Sequence, residues 1–192
     1  MTEREKMLNG MLYNAYDGEL VELRRKCQLL CEEFNALHGE SAAKQRAGLI
    51  RKIVGRCGAS VKLQPTFWRN YGPLITLGER FYANHNCVML DCAPITFGDG
   101  VMIGPNCGFY AAGHPTDPEQ RAAGLQFSRP ITVGNRVWFG GNVVVLAGVT
   151  IGDNTVIGAG SVVTHSIPAN VIAVGNPCRV LRPVGENSFP AE

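Results

Sequence analysis

Apolar residues in the first 54 positions recur at intervals of three and four, the spacing of one helix face. The clearest run is Leu20, Leu23, Cys27, Leu30, Cys31 and Phe34. We expect the helix that carries it to begin near Asp17. Thr2 followed by Glu5 has the form of a capping box, which predicts an earlier helix, and a third is expected from Ser41 to about Val54. Residues 1–58 are therefore expected to be a helical segment that packs on a larger body.

From about residue 74 the apolar positions follow a period of six instead. Hexads run without a slip from Ile131 to Ser166, and those beginning at Ile95 and Val101 keep the same register. The third position is aliphatic or aromatic, and the fourth is often glycine, as in Phe139-Gly140. This period predicts a parallel β-helix over residues 59–192, in which three hexads form one triangular coil. A β-sandwich fits less well, because its strands recur at about 8 to 12 residues.

One polar stretch rich in proline and glycine, residues 111–130, interrupts the hexads. Long ordered loops in compact domains are usually functional, so we expect a loop excursion from the coil. It contains His114, whose imidazole suits proton transfer near neutral pH. A loop histidine with no role is the alternative interpretation.

Composition and charge narrow the class of protein. The chain has 192 residues and a formal net charge of +2, so no excess of positive charge indicates nucleic-acid binding. Seven cysteines without a CxxC pair are expected to be reduced thiols, which favours the cytoplasm. The N-terminal residues have no apolar run, so neither a secretory signal nor a membrane span is expected.

Several catalytic motifs are missing from the sequence. There is no GxGxxG, no Walker A sequence and no GxSxG elbow, which disfavours dinucleotide, P-loop and serine-hydrolase chemistry. The four histidines, at positions 38, 85, 114 and 165, are not at the spacing of metal ligands. We therefore expect no metal site.

Four segments together resemble the hexapeptide-repeat acyltransferases, and within them the sugar O-acetyltransferases of the maltose and galactoside type. They are GMLYNAYDGEL, FYANHNCVMLDCAPITFGD, AAGHP, and the run from PITVGNRVWFGG to VGNPCRV. The resemblance implies a left-handed parallel β-helix and a cytoplasmic homotrimer with active sites between adjacent subunits. It also implies direct transfer of acetyl from acetyl-CoA to a sugar hydroxyl, without metal, nucleic acid or membrane.

The resemblance also implies roles for individual residues. His114 would be the general base, and Asn84 would hold its imidazole or the reacting groups. The acceptor contacts would be Asp17, Arg24, Asn70, Tyr82, Asn84, Asp91 and Cys92. The acetyl-CoA contacts would be Trp138, Gly141, Ala159, Thr164, His165, Arg179 and Arg182. Simpler interpretations remain for five of these: Asp17 as a helix N-cap, Asn70 and Tyr82 as surface residues of a turn, and Gly141 and Ala159 as small residues that a tight corner requires.

The chain departs from the family pattern at three positions. His165 stands where relatives commonly have a lysine, and Cys92 where galactoside-type members can have a second aspartate. Gln126 lies in a variable segment that lines the acceptor site. Two other functions remain open: acetylation of another hydroxyl acceptor, such as an amino-sugar oligosaccharide, a hydroxylated antibiotic or serine, and a non-catalytic hexapeptide-repeat scaffold.

Overall fold

The computed structural model describes residues 1–185, in which helices near the N-terminus pack against a parallel β-helix of about six turns. Residues 186–192, the end of the predicted β-helix segment, lie outside the described residues. The α-helices are α1 (Glu3–Leu8), α2 (Gly18–Asn35), α3 (Ala43–Ile53) and α4 (Pro118–Ala122). A short 3₁₀ helix, Glu40–Ala42, precedes α3.

Twenty short strands make up the rest of the regular structure. They are β1 (Tyr13–Asn14), β2 (Arg56–Cys57), β3 (Val61–Leu63), β4 (Phe67–Arg69), β5 (Ile75–Leu77), β6 (Phe81–Ala83), β7 (Cys87–Leu90), β8 (Ile95–Phe97), β9 (Met102–Ile103), β10 (Gly108–Tyr110), β11 (Ala112–Gly113), β12 (Leu125–Ser128), β13 (Ile131–Val133), β14 (Trp138–Phe139), β15 (Val144–Leu146), β16 (Thr150–Ile151), β17 (Val156–Ile157), β18 (Val162–Val163), β19 (Val171–Val174) and β20 (Arg179–Pro183).

Three parallel sheets form the faces of the β-helix, each built from every third strand of the coil. The first face contains β2, β5, β8, β13 and β16; the second β3, β6, β9, β14, β17 and β19; and the third β4, β7, β10, β15 and β18. Strand β20 returns antiparallel along β19. Ile131 pairs directly with Ile95, so the common register predicted for these two hexads is confirmed. Ile95 in turn pairs with Ile75 of the preceding coil.

The first and third hexad positions point inward and form the core. Phe81, Phe97, Phe109 and Phe139 are almost fully buried and stack edge to face, with ring centroids 5.0 to 5.2 Å apart. Edge-to-face contact suits the quadrupoles of aromatic rings. The aromatic hexad residues therefore tie successive coils together along the axis.

Tight corners join the faces, and they depend on permissive backbone positions. Asn106, Asn142 and Asn154 adopt the left-handed conformation, with φ between 58° and 60°. At Gly140 a Cβ atom would lie 2.6 Å from the backbone nitrogen of Ala159 in the next coil. Side chains are thus excluded where one corner stacks on another, which accounts for the repeated glycine.

The helical segment follows the predicted periodicity. Thr2 and Glu5 form the capping box of α1, and Asp17 caps α2. Buried Cys27, Cys31 and Phe34 lie on the side of α2 that faces the β-helix. Strand β2 already pairs with β5, a few residues before the expected end of the helical segment. Within residues 1–185, no helix combines the length and apolar character needed to cross a bilayer.

The excursion has more structure than a loop. Strands β11 and β12 pair antiparallel, α4 lies between them, and β1 from the N-terminal segment joins the outer edge of β12. Tyr13 pairs directly with Gln126 in this small sheet. The hydroxyl of Ser128 also donates to the carbonyl of Met7 at 2.7 Å. The N-terminal segment therefore anchors the excursion that carries His114.

Candidate active site

His114 follows β11, and both of its ring nitrogens have a partner. Nδ1 lies 3.0 Å from the carbonyl oxygen of Leu125, and Nε2 lies 3.1 Å from the amide nitrogen of Gln126. A carbonyl oxygen only accepts hydrogen bonds, so Nδ1 carries the proton. In the neutral imidazole Nε2 is then the acceptor nitrogen, which is the form a general base requires.

The hydrogen-bonded chain continues from Gln126 into the protein interior. The hydroxyl of Tyr13 donates to Gln126 Oε1 at 2.9 Å. Tyr13 is fully buried, and burial raises the pKa of its phenol, which keeps the hydroxyl protonated and able to donate. The amide of Gln126 thus has its oxygen toward Tyr13 and its nitrogen toward His114.

An open cavity of about 320 Å³ lies in front of the imidazole. Its walls are Ala15, Tyr16, Arg24, Asn70, Leu90, His114 and Gln126. Arg24 donates to the hydroxyl of Tyr71 at 2.7 Å and to the carbonyl of Ala15 at 2.6 Å, which fixes its guanidinium at the wall. A small polar molecule that enters this cavity would meet hydrogen-bonding groups from three separate segments of the chain.

Asp91 and Cys92 lie behind this cavity rather than on its wall. The Asp91 carboxylate accepts hydrogen bonds from the backbone N–H groups of Asn70, Tyr71 and Gly72. The side-chain amide of Asn70 donates to Cys92 Sγ at 3.2 Å. Burial raises the pKa of Asp91, while these donors act in the opposite direction. Both residues hold Asn70 in place, so Asn70 alone of the three faces the cavity.

Asp17, Tyr82 and Asn84 are not among the residues that line the His114 cavity. The carboxylate of Asp17 accepts from the backbone N–H of Glu19 at 3.0 Å, as an N-cap does. Tyr82 lies on β6 of the second face, and Asn84 lies at the corner that leads to the third face. Within one chain the imidazole is held by Leu125 and Gln126, and not by Asn84.

The predicted acetyl-CoA residues fall into two groups, one on the second face and its corner with the third, and the other beyond the far edge of the third face. Trp138 lies on the second face with 53% of its surface exposed, and Gly141 and Ala159 lie at its corner with the third face. Thr164 and His165 follow β18, at the edge where the third face meets the first. The hydroxyl of Thr164 lies 2.9 Å from His165 Nδ1.

The two arginines predicted to bind phosphate lie on β20, and Arg179 is near His165. Arg179 joins His165, Ser166, Ile167, Cys178 and Val180 around an open cavity of about 340 Å³. Arg182 is exposed on β20, opposite Ile172. Among residues 1–185 neither arginine forms an ion pair with a carboxylate, so both guanidinium groups are available to an anion.

Sequence reasoning did not identify Tyr13 or Tyr16 as site residues, and it noted Gln126 only as part of a variable segment. Tyr13 and Gln126 are 113 positions apart and meet through the pairing of β1 with β12. No local periodicity predicts such a contact. The sequence feature that could have indicated this contact is the isolated polar excursion, because an exposed strand edge in it needs a partner strand.

The comparisons with known proteins agree with this architecture. A family model described as the maltose acetyltransferase hexapeptide capping motif matches residues 6–58, and one for the bacterial transferase hexapeptide repeats matches residues 130–165. The galactoside O-acetyltransferase of Escherichia coli is 43% identical over 186 residues, which cover 97% of this chain and 90% of that protein. The chain belongs to the maltose and galactoside O-acetyltransferase family.

Two solved structures of this family superpose closely on the chain. A maltose O-acetyltransferase from Clostridium difficile 630 has a TM-score of 0.94 at 44% identity and covers 97% of this chain and 99% of that one. A galactoside acetyltransferase in complex with coenzyme A also has a TM-score of 0.94, at 40% identity, covering 98% of this chain and 96% of that one. The family resemblance predicted from the motifs is confirmed. The two superpositions cover nearly the whole chain, and so include the excursion that carries His114.

Proposed function

We propose that this chain transfers acetyl from acetyl-CoA to a hydroxyl group of a sugar, with His114 as the general base. The observation that carries the proposal is the His114 imidazole beside an open polar cavity, with Nδ1 held by the Leu125 carbonyl and Nε2 by the Gln126 amide. The coenzyme A complex of a galactoside acetyltransferase of the same fold supports the choice of donor. The maltose and galactoside names of the similar proteins support a sugar as the acceptor.

The chemistry needs no covalent enzyme intermediate. Nε2 accepts the proton of the acceptor hydroxyl while the oxygen attacks the thioester carbonyl of acetyl-CoA. When the tetrahedral intermediate collapses, the C–S bond breaks and the imidazolium returns the proton to the leaving thiolate. The products are the acetylated sugar and free coenzyme A. The Leu125 carbonyl accepts from Nδ1–H throughout and stabilises the imidazolium that forms.

Arg179 and Arg182 fit the phosphate-bearing end of coenzyme A. Their guanidinium groups have no carboxylate partner among the described residues, and arginine is well suited to phosphate because its N–H groups can bind two oxygens at once. Gly141 and Ala159 have little or no side chain, so an extended pantetheine arm has room to lie along their corner. Arg24 and Asn70 supply donors for acceptor hydroxyls.

We also propose a homotrimer in which each active site lies between two subunits. Tyr82 and Trp138 lie on the second face, and Asn84 lies at the corner of that face with the third. His114 and Thr164 lie at the opposite edge of the third face, where it meets the first. In a single chain these two edges do not share the His114 cavity, whereas a cyclic trimer can bring one edge of each subunit to the opposite edge of its neighbour. A complete site would then take His114 from one chain and Asn84 from the next.

The seven cysteines, which are all free thiols, support a reducing compartment such as the cytoplasm. Six of them are buried, where burial raises the pKa of Cys87 to about 12 and that of Cys31 to about 11. Such thiols are weak nucleophiles at neutral pH. A cysteine acyl intermediate is therefore disfavoured relative to direct transfer.

Acetyl-CoA-dependent thiol release tests the proposal with maltose, glucose, galactosides, amino sugars and serine as acceptors. We expect release with sugars, and a loss of about a hundredfold or more in kcat for His114→Ala. His38→Ala is the matched control, because His38 is exposed and remote from the cavity. Normal turnover in a trimeric His114→Ala variant would remove the base from the mechanism. Acetyl-CoA binding without transfer to any sugar would exclude the acceptor class, and failure to bind acetyl-CoA would favour a scaffold.

A further inference from the structure

Nε2 of His114 is the atom that an acceptor hydroxyl must reach, yet a side chain of this chain already occupies it. The amide of Gln126 points its N–H at Nε2 over 3.1 Å. This contact lies opposite the contact of Nδ1 with Leu125, so the two contacts together set the orientation of the ring. The Gln126 amide therefore occupies the position of the incoming hydroxyl group.

Gln126 is itself held in a single orientation. It pairs with Tyr13 across β1 and β12, and its Oε1 accepts the hydrogen bond of the buried Tyr13 hydroxyl. Turning the amide over would place its oxygen against the unprotonated Nε2, and two acceptors would then face each other. The Nδ1–H bond to Leu125 therefore selects the amide N–H as the partner of Nε2, and the Tyr13 hydroxyl completes the chain by donating to Oε1.

Among the described residues, the charged side chains around His114 bond to other groups and do not contact its Nε2. Arg24 lines the same cavity and is bonded to Tyr71 and Ala15. Arg121 of α4 donates to the backbone carbonyls of Pro115 and Thr116, next to His114. Asp117 caps α4 through the backbone N–H of Gln120. In the part of the chain that the structure describes, the hydrogen bonds recorded for the imidazole are those to Leu125 and Gln126.

We propose that Gln126, oriented by Tyr13, is a positioning residue for His114 and a direct contact for the acceptor. In the free site its N–H holds Nε2 unprotonated and the ring in the Nδ1–H tautomer. When the acceptor binds, its hydroxyl group replaces the Gln126 amide at Nε2. The Gln126 N–H then donates its hydrogen bond to the oxygen of that hydroxyl group. The oxygen then has its proton directed at the base and a lone pair free for the thioester. This inference rests on the proposed role of His114.

Two substitutions at position 126 separate positioning from packing. Gln126→Met keeps the length of the side chain and removes both hydrogen bonds. We expect kcat/KM for the acceptor to fall about tenfold, the scale of one lost hydrogen bond, with KM for acetyl-CoA unchanged. Gln126→Glu keeps the shape and the bond from Tyr13 but presents a carboxylate to Nε2. That carboxylate holds a proton on Nε2, so we expect a larger loss of kcat than for Gln126→Met.

The ¹⁵N NMR signals of the histidine ring, assigned with His114→Ala, give a readout that does not depend on turnover. In the wild type at neutral pH we expect a protonated Nδ1 and an unprotonated Nε2. Gln126→Met should give a mixture of tautomers, and Gln126→Glu should protonate both nitrogens. Tyr13→Phe removes one oxygen and should move the signals in the same direction as Gln126→Met. Gln120→Leu, at an exposed position of the same excursion, should behave as the wild type.

The outcomes distinguish this inference from the proposed function. An Nε2–H tautomer in the wild type, or a Gln126→Met enzyme with wild-type acceptor kinetics and tautomer, would overturn the role of Gln126 while leaving His114 as the base. Normal turnover in His114→Ala would overturn the proposed base itself. Loss of activity in Gln126→Met together with a raised KM for acetyl-CoA would indicate general disruption and would also overturn the inference.

Discussion

At the scale of single residues, the buried carboxylate of Asp91 sets the shape of the cavity floor. It accepts three consecutive backbone N–H groups, from Asn70 to Gly72. Its charge also acts on buried Arg69, whose Nε and Nη1 have no hydrogen-bond partner among the described residues. The family resemblance implied contact with the acceptor, whereas the structure gives this carboxylate a supporting position.

Asp91→Asn is expected to lower the free energy of unfolding by about 2 to 4 kcal/mol. In the asparagine, one carboxylate oxygen is replaced by an NH₂ group, which is a donor and cannot accept from the backbone N–H groups. The side chain also loses the negative charge that lies near Arg69. Chemical denaturation measures the change. Asp99→Asn is the matched control: the exposed Asp99 accepts one amide N–H, from Glu79, and its substitution should cost no more than about 0.5 kcal/mol. Equal stability of the two variants would contradict the supporting role.

The sequence was informative about His114 and much less so about its neighbours. His114 stands out because a titratable residue lies in a polar interruption of a regular pattern. Gln126 and Tyr13 act through a contact between distant segments, which spacing alone does not encode. Asp91 follows β7, where the coil departs from the six-residue period, so its inward direction was not visible from the hexads.

At the scale of elements, the hexad period predicted the strands because every hexad meets the same steric constraint. An inward apolar residue is followed by a corner that stacks on the corner of the next coil, and only small or left-handed residues fit there. The excursion was predicted only as a loop, since its two strands are too short to show a period and depend on β1 for an outer partner. Regular stacking is thus readable from sequence, and pairing between separate segments is not.

Gly140→Ala tests the stacking of corners. The added Cβ atom would lie 2.6 Å from the backbone nitrogen of Ala159, and backbone cannot move aside as the end of a side chain can. We expect a loss of about 1 to 3 kcal/mol in the free energy of unfolding. Gly48→Ala in α3 is the control of opposite sign: nothing lies within 4 Å of the added atom, and stability should rise by about 0.5 to 1 kcal/mol. A neutral Gly140→Ala would mean that the coils separate easily at this corner.

At the scale of the whole molecule, the faces differ in what they present to the outside. The outward row of the first face includes Thr76, Thr96, Thr132 and Thr150, whereas that of the second includes Tyr82, Met102, Trp138, Val156 and Ile172. Met102 and Trp138 are each 53% exposed in the single chain. An exposed apolar row of this kind marks a surface that a partner or ligand covers. Its position beside Asn84 supports an active site completed by a second copy.

Mixing two inactive variants tests that arrangement directly. If each site takes His114 from one chain and Asn84 from its neighbour, His114→Ala and Asn84→Ala chains mixed one to one before assembly form some sites with both native residues. Random assembly makes up to about a quarter of the sites native, so activity should return to about that fraction of the wild type. The same variants assembled separately and then combined without exchange should stay inactive. If every site used His114 and Asn84 of the same chain, co-assembly would restore nothing, because no chain would carry both residues.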